Sequence, residues 1–374
     1  MKRILKTLLF CALLSFILVT NVKADTLEDL SRASGAYSLG ESLPEEAKKA
    51  LSDIGVDSSD FSSISSLSIE DIFKFLGSTI SIEASKVFPS VCSVLAIILL
   101  YSVFSGLFDG VSNPALSSVL SVVSALCIAC VLLMPVCGLI EAASKAISIS
   151  ANFMLAYIPV MGAVLISAGQ TVTGSGYSTM MVVASEAVGQ FFSKIISPLL
   201  SGFLTLGVSS SVVAEIKLIS LINSFSKTVK WLMSFVFTLF TGFLSLKTLF
   251  SASVDNVSSR AVRYTMSSFI PVVGGALSEA YRTVHGSVGV LKSGIGVFVI
   301  IAVITVFAPV LVKLCIWLIT VSICKGFSET ADLSSPVQML SAVSTVLSLL
   351  LSVILCIIAL FVITTALIIS VGGA

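Results

Sequence analysis

Apolar positions along this chain fall in long unbroken runs, not in the alternation of a strand or the narrow stripe of a soluble helix. A helix needs about 20 mostly apolar residues to cross a hydrocarbon core about 30 Å thick. Six runs meet that requirement: Phe88–Phe108, Leu116–Ile140, Met180–Leu206, Trp231–Phe250, Gly294–Ile323 and Val337–Ser370. A seventh, Phe153–Ala168, is shorter and carries Pro159, so it reads as a span or as a re-entrant piece. The last two of the six would measure roughly 45 and 51 Å as straight helices and must tilt, break or project beyond the lipid. Pro309 offers a breaking point, because proline removes a backbone donor. The pattern predicts an all-α, polytopic transmembrane helical bundle of about seven spans, with six to eight compatible.

The pattern changes at the amino terminus. Lys2, Arg3 and Lys6 precede an apolar stretch from Leu8 to Val19, and Val22 and Ala24 fit a small-residue cleavage site. Residues 1–24 therefore read as a signal peptide cut before Asp25, with an uncleaved first anchor as the alternative. Either reading places residues 25–86 outside the cytoplasm. This acidic segment is Ser-rich and broken at Pro44 and Gly55. Its best helix starts at Ser68, a capping hydroxyl with Asp71 three residues on. Ile69, Ile72, Phe73, Leu76 and Ile80 then recur at helical spacing. Such a helix lies against the bilayer or the membrane domain, or docks a partner.

Composition sharpens the division. The chain is 56% hydrophobic and 11% charged, against about 25% charged in a soluble domain. Residues 25–86 carry 12 acids and 5 bases, whereas residues 87–374 carry 8 acids and 12 bases. No cluster of Lys and Arg resembles a nucleic-acid footprint; the partner that composition implies is membrane lipid. Lys247, Arg260 and Arg263 follow the Trp231–Phe250 run and argue that this loop is cytoplasmic. Five spans from an outside start reach the same side.

An internal repeat is the most informative feature. Ile158-Pro-Val-Met-Gly-Ala-Val-Leu165 recurs as Ile270-Pro-Val-Val-Gly-Gly-Ala-Leu277, and ten of 18 positions agree between 158–175 and 270–287. The duplicated units fall at about 116–206 and 231–320. If Phe153–Ala168 and Phe269–Val290 both cross, the units have opposite orientation; if both re-enter, they are parallel. Pro159, Gly162, Pro271 and Gly274 are then places for broken helices lining a path, or for close helix packing through small residues.

Ionisable groups in apolar runs cost about 2.5–3.5 kcal/mol each at a bilayer centre. Glu186, Gln190 and Lys194 share a face of one run, and Lys313 stands four residues past Pro309. They line a water-filled path, or they snorkel and pair between helices. The loop charges Arg260, Arg263, Glu279, Arg282 and Lys292 flank the second repeat block.

Catalytic chemistry finds little support. His285 is the single histidine, which works against multi-His metal sites and Ser-His or Cys-His catalysis. Cys127 and Cys130 form a C-x-x-C inside an apolar run without further ligands, and the soluble segment has no cysteine for a disulfide framework. Ser224 and Lys227 form an isolated S-x-x-K, and phosphate-binding and dinucleotide fingerprints are absent. No cofactor or metal is expected, and an enzyme is not.

The stretch Ser258-Ser-Arg-Ala-Val-Arg-Tyr264, leading into Phe269-Ile-Pro-Val-Val-Gly274, resembles the stage III sporulation protein AE family of endospore-forming bacteria. The likeness continues through Ser278-Glu-Ala, Thr283-Val and Val290-Leu-Lys-Ser-Gly-Ile-Gly296, with Tyr157-Ile-Pro-Val160 upstream. The resemblance implies a place in an eight-protein operon set. With a forespore-membrane partner, that set forms a secretion-like channel between mother cell and forespore. It implies residence in the mother-cell membrane that becomes the outer forespore membrane, and a role in forespore integrity and late forespore gene expression. It assigns no catalytic or ligand-binding residue. An autonomous secondary transporter and a non-conducting scaffold are the competing expectations.

Overall fold

The computed structural model describes residues 69–108, 114–212, 218–269, 274–331 and 333–370, with Leu39, Leu43, Lys48, Lys49, Leu51 and Ser52 ahead of them. The expected signal peptide, most of the acidic segment and Pro271 lie outside the described residues. So do the side chains of Arg263, Glu279, Arg282 and His285.

Every described element is helical. In order they are α1 (Ile69–Phe108), α2 (Pro114–Ser167), α3 (Thr171–Phe191), a π-helical turn (Phe192–Ile196), α4 (Ser197–Val212), α5 (Leu218–Phe269), α6 (Gly274–Thr330) and α7 (Ser334–Ser370). Because α3, the π turn and α4 run on without a break, the described residues make six rods. Their connections are five residues or fewer, so successive rods are antiparallel neighbours. All six rods are long and apolar enough to cross a membrane.

α7 is the centre of the bundle. It packs against α6, α5, α4 and α2 and leaves no residue from Ser335 to Ile369 exposed, with Leu340, Val346, Leu350, Ile354, Phe361 and Ile368 buried. An all-round apolar helix must be enclosed in this way. α5 is the opposite case. Phe235, Val236, Leu239, Phe243, Leu246 and Phe250 face outward, whereas Thr248, Ser251, Asp255 and Ser259 are buried. Its polar stripe faces protein and its apolar face is left for lipid, the reverse of a soluble helix.

Three sequence expectations change. Leu116–Ile140 and Phe153–Ala168 are not two spans joined by a loop, since α2 runs through both for 54 residues with Pro135 and Pro159 inside it. The polar stretch between them is helical because its side chains meet a second helix, as described below. The described residues then form six rods, inside the six to eight spans that the sequence allows. Gly294–Ile323 likewise belongs to α6, 57 residues long and unbroken at Pro309. Finally, α1 joins the helix expected after Ser68 to the first span, so the boundary at 86/87 falls within one helix.

The repeat blocks take different shapes. In the first, Ile158-Pro-Val-Met161 is inside α2, and the chain reverses at Ala168–Gln170 with Gly169 at φ 74°. That left-handed conformation is cheap only for glycine. In the second, Tyr281 stands where Gly169 does, and α6 continues past it.

Candidate functional site

The α2–α3 hairpin and the π turn after it carry five of the sequence candidates, Pro159, Gly162, Glu186, Gln190 and Lys194. After the Gly169 turn, Gly162 and Gly174 let the two helices meet closely. A Cβ on Gly174 would stand 3.2 Å from the Gly162 carbonyl oxygen and 3.1 Å from Leu165 Cβ, and one on Gly162 would stand 2.6 Å from Ser178 Oγ. Gly162 is thus a packing position inside a helix, not a break. Pro159 sits on the exposed side of α2, where its missing N–H interrupts no interhelical contact.

Farther from the turn the apolar packing opens into a polar cleft of about 220 Å³. Ser144, Ser148 and Asn152 stand one helical turn apart on α2, and Ser185, Glu186, Gly189, Gln190 and Ser193 face them from α3 and the π turn. Spacing of four residues puts the α2 trio on one stripe, and small Gly189 opposite Ala151 leaves the room. Ser185 is fully buried, with no hydrogen-bond partner for its hydroxyl. The π turn begins beside this cleft; such turns occur often at functional sites. Along the exposed edge, Gln190 Nε2 donates to Glu186 Oε2 at 3.5 Å and Lys194 Nζ donates to Gln190 Oε1 at 3.1 Å. Glu186, Gln190 and Lys194 therefore form a ladder along one face.

The remaining candidates sit elsewhere. Lys313 on α6 pairs with Glu83 on α1 at 3.3 Å, and Lys86 reaches the same carboxylate at 2.9 Å. Arg260 is exposed on α5, and Lys292 is buried within α6 at 3% exposure. Neither is on a loop: α5 extends to Phe269 and α6 begins at Gly274, and the backbones at Glu279 and Arg282 are helical too.

Two groups are not evident from sequence. Asp255 of α5, 3% exposed, accepts from the backbone N–H of Val172 at 3.1 Å and of Thr173 at 2.8 Å. A carboxylate supplied by another helix thereby caps α3, satisfying two amides that a helix start leaves orphaned. The only sequence signal is an acid completing a seven-residue series with Ser234, Thr241 and Thr248. The hydroxyls of Tyr157, Tyr177 and Thr365 also converge in the core between α2, α3 and α7, without a hydrogen bond of good geometry among them. Interhelical polar pairs continue along α7, where Lys230 Nζ donates to Ser348 Oγ at 2.8 Å and Thr345 Oγ1 donates to Asn223 Oδ1 at 2.8 Å. Among the described residues no three His, Cys, Asp or Glu side chains stand together as metal ligands.

Six apolar rods, an outward apolar helix and interhelical polar pairs define a multi-pass helical membrane protein. The family model of stage III sporulation protein AE matches residues 58–372, and the chain belongs to that family. It is also similar to the stage III sporulation protein AE of Bacillus subtilis (strain 168), at 25% identity over 169 residues. That match covers 45% of this chain and 42% of the relative. No solved structure matches. Family membership gives the chain a role in sporulation.

Proposed function

We propose that this protein is a membrane core component of a multiprotein, secretion-like channel linking mother cell and forespore. In this reading it sits in the mother-cell membrane that becomes the outer forespore membrane. It works there with the other proteins of its operon set and a forespore-membrane partner. Through them it supports forespore integrity and late forespore gene expression. The observation that carries the reading beyond sporulation is the α2–α3 cleft. Polar side chains from two helices face a space of about 220 Å³ within an otherwise apolar hairpin. Polar groups at membrane depth are costly whether they meet protein or lipid, and they collect where water or a solute passes.

The cleft is narrow, so this chain contributes a wetted segment of a path completed by neighbouring subunits. Glu186 supplies an acceptor and Lys194 a donor at its edge, with Gln190 between them. The repeat segments have a supporting role: Gly162 and Gly174 hold the hairpin closed while the cleft stays open beyond them.

The test fills the cleft. Ser148→Leu and Asn152→Leu, made together in sporulating cells, should stop passage of a small fluorescent tracer into the forespore and reduce heat-resistant spores. Immunoblots should show unchanged protein levels. Full tracer passage and sporulation with the cleft filled would instead favour a non-conducting scaffold. Solute flux driven by an ion gradient through the purified chain alone would favour an autonomous transporter.

A further inference from the structure

α5 is the least enclosed of the six rods, and its free face has an order that lipid does not require. Lipid asks only that a face be apolar. On α5 the outward residues also keep strict steps of three and four. Val229, Val236, Phe243, Phe250 and Val257 recur every seven residues. Phe225, Leu232, Leu239, Leu246 and Ser253 recur every seven between them. These are the a and d positions of a heptad, and nine of the ten are apolar. Val229 is half-buried; the others are exposed, the apolar ones by 46% at Leu232 to 71% at Phe250. Position f lies opposite such a seam, and there Thr241 is half-buried while Thr248 and Asp255 are buried. α5 therefore turns f to the bundle and its a and d positions away from it.

Two features set this seam apart from a surface made for lipid. The first is that it outlasts the apolar run Trp231–Phe250. Phe225 keeps the register among Ser224, Lys227 and Thr228, and Val257 keeps it among Asn256, Ser258 and Arg260. From Phe225 to Val257 the seam is about 48 Å of helix, against about 30 Å of hydrocarbon. The second is its period and composition. A sustained repeat of seven winds one helix round another in a left-handed supercoil. Val at a with Leu at d favours two parallel strands, and Val229, Val236 and Val257 stand at a with Leu232, Leu239 and Leu246 at d. The flanks permit such a pair. Lys247 is the one charge at the e and g positions between Phe225 and Val257, and its chain lies back over Gly176 of α3. Across the seam it would face Gly242, where a Cβ would meet nothing. The eight exposed apolar side chains offer on the order of 800 Å² per copy, the size of a standard specific interface.

We infer that α5 pairs in parallel with α5 of a second copy through this seam, making the protein a two-fold dimer. An axis parallel to the helices keeps both copies in the same orientation in the membrane. Lipid tails are as apolar as leucine, so the pair is held by interdigitated packing of the a and d side chains, not by apolarity as such. The flanks of the face, Trp231 among them, stay against lipid. The inference does not depend on what the cleft conducts.

Disulfide cross-linking in membranes of sporulating cells tests the seam position by position. Single cysteines are placed in an otherwise cysteine-free full chain and oxidised with copper phenanthroline. With Leu239→Cys, Phe243→Cys or Leu246→Cys the chain should run at twice its mass. With Thr238→Cys or Ser245→Cys, both at position c, it should stay a monomer. Cross-linking at all five positions, at none, or only to proteins of another mass would overturn the pairing. A second variant removes the packing and keeps the reporter. Leu239→Ala and Leu246→Ala, added to Phe243→Cys, should abolish the dimer band while immunoblots show the same amount of chain. Both leucines are exposed, so the fold of one copy does not rest on them. A dimer band that survives both substitutions would contradict a leucine-packed seam.

Discussion

At the scale of single residues, the bundle is held by contacts that hydropathy cannot register. Asp255 is the clearest. Replacing it by Ala leaves the Val172 and Thr173 amides unpaired in a site closed to water, which costs about 1–3 kcal/mol. Asp255→Asn keeps one acceptor oxygen for two donors and should cost less. Thermal unfolding in detergent, followed by circular dichroism, should rank wild type above Asn and Asn above Ala. Equal melting of all three would remove the capping role. Gly207 gives a second case, because a Cβ there would overlap Ala342 Cβ on α7. Gly207→Ala should destabilise by about 1–3 kcal/mol through overpacking. Ala342→Gly in the same chain should recover most of the loss, since the two positions share one space. Unchanged stability of the single variant would show that α4 and α7 do not meet there.

At the scale of elements, most helices are legible in the sequence and their ends are not. Long apolar runs announce spanning helices whatever they pack against, so all six strong runs lie inside rods. The pattern breaks down between Ile140 and Phe153. Glu141, Ser144, Lys145, Ser148 and Asn152 read as a loop because nothing in one segment reveals that a second polar face will meet it. α3 supplies that face, and the polar stretch stays helical. Pro159 and Pro309 mislead in the same way. A proline in a membrane helix loses one backbone bond, and neighbouring helices stabilise the segment enough to carry it. The cleft is half visible: Glu186, Gln190 and Lys194 are read from spacing on α3, but their partners on α2 come only from the hairpin. The Gly169 turn explains why the two repeat blocks diverge. A left-handed residue is needed to reverse the chain, and Tyr281 in the second block does not favour it. Gly169→Val should therefore weaken the hairpin by more than a typical surface change. Faster proteolysis between α2 and α3 would report it, and an unaltered digestion pattern would count against a strained turn.

At the scale of the whole molecule, the number of rods decides orientation. Arg260 stands near the end of the fourth rod, where the sequence reading counted five spans. If each crosses once, the Arg260 end of α5 lies on the same side as the start of α1. The agreement between basic loop and span count seen in the sequence is then lost: either the acidic segment is cytoplasmic or those arginines face outward. Charge alone is a poor guide here because its asymmetry is weak. Lys227, Lys230 and Lys325 occupy the half of the bundle opposite to Arg260, Arg263 and Arg282. A continuous α2 is the claim on which cleft, rod count and orientation all rest. Its most direct test is side-specific cysteine labelling in a cysteine-free background, with one thiol at Ser112 before α2 and another at Thr171 after it. A single helix puts the two on opposite faces of the membrane, so an impermeant maleimide should label one and not the other in sealed vesicles. Labelling of both from the same side would mean two crossings between them and would contradict the account.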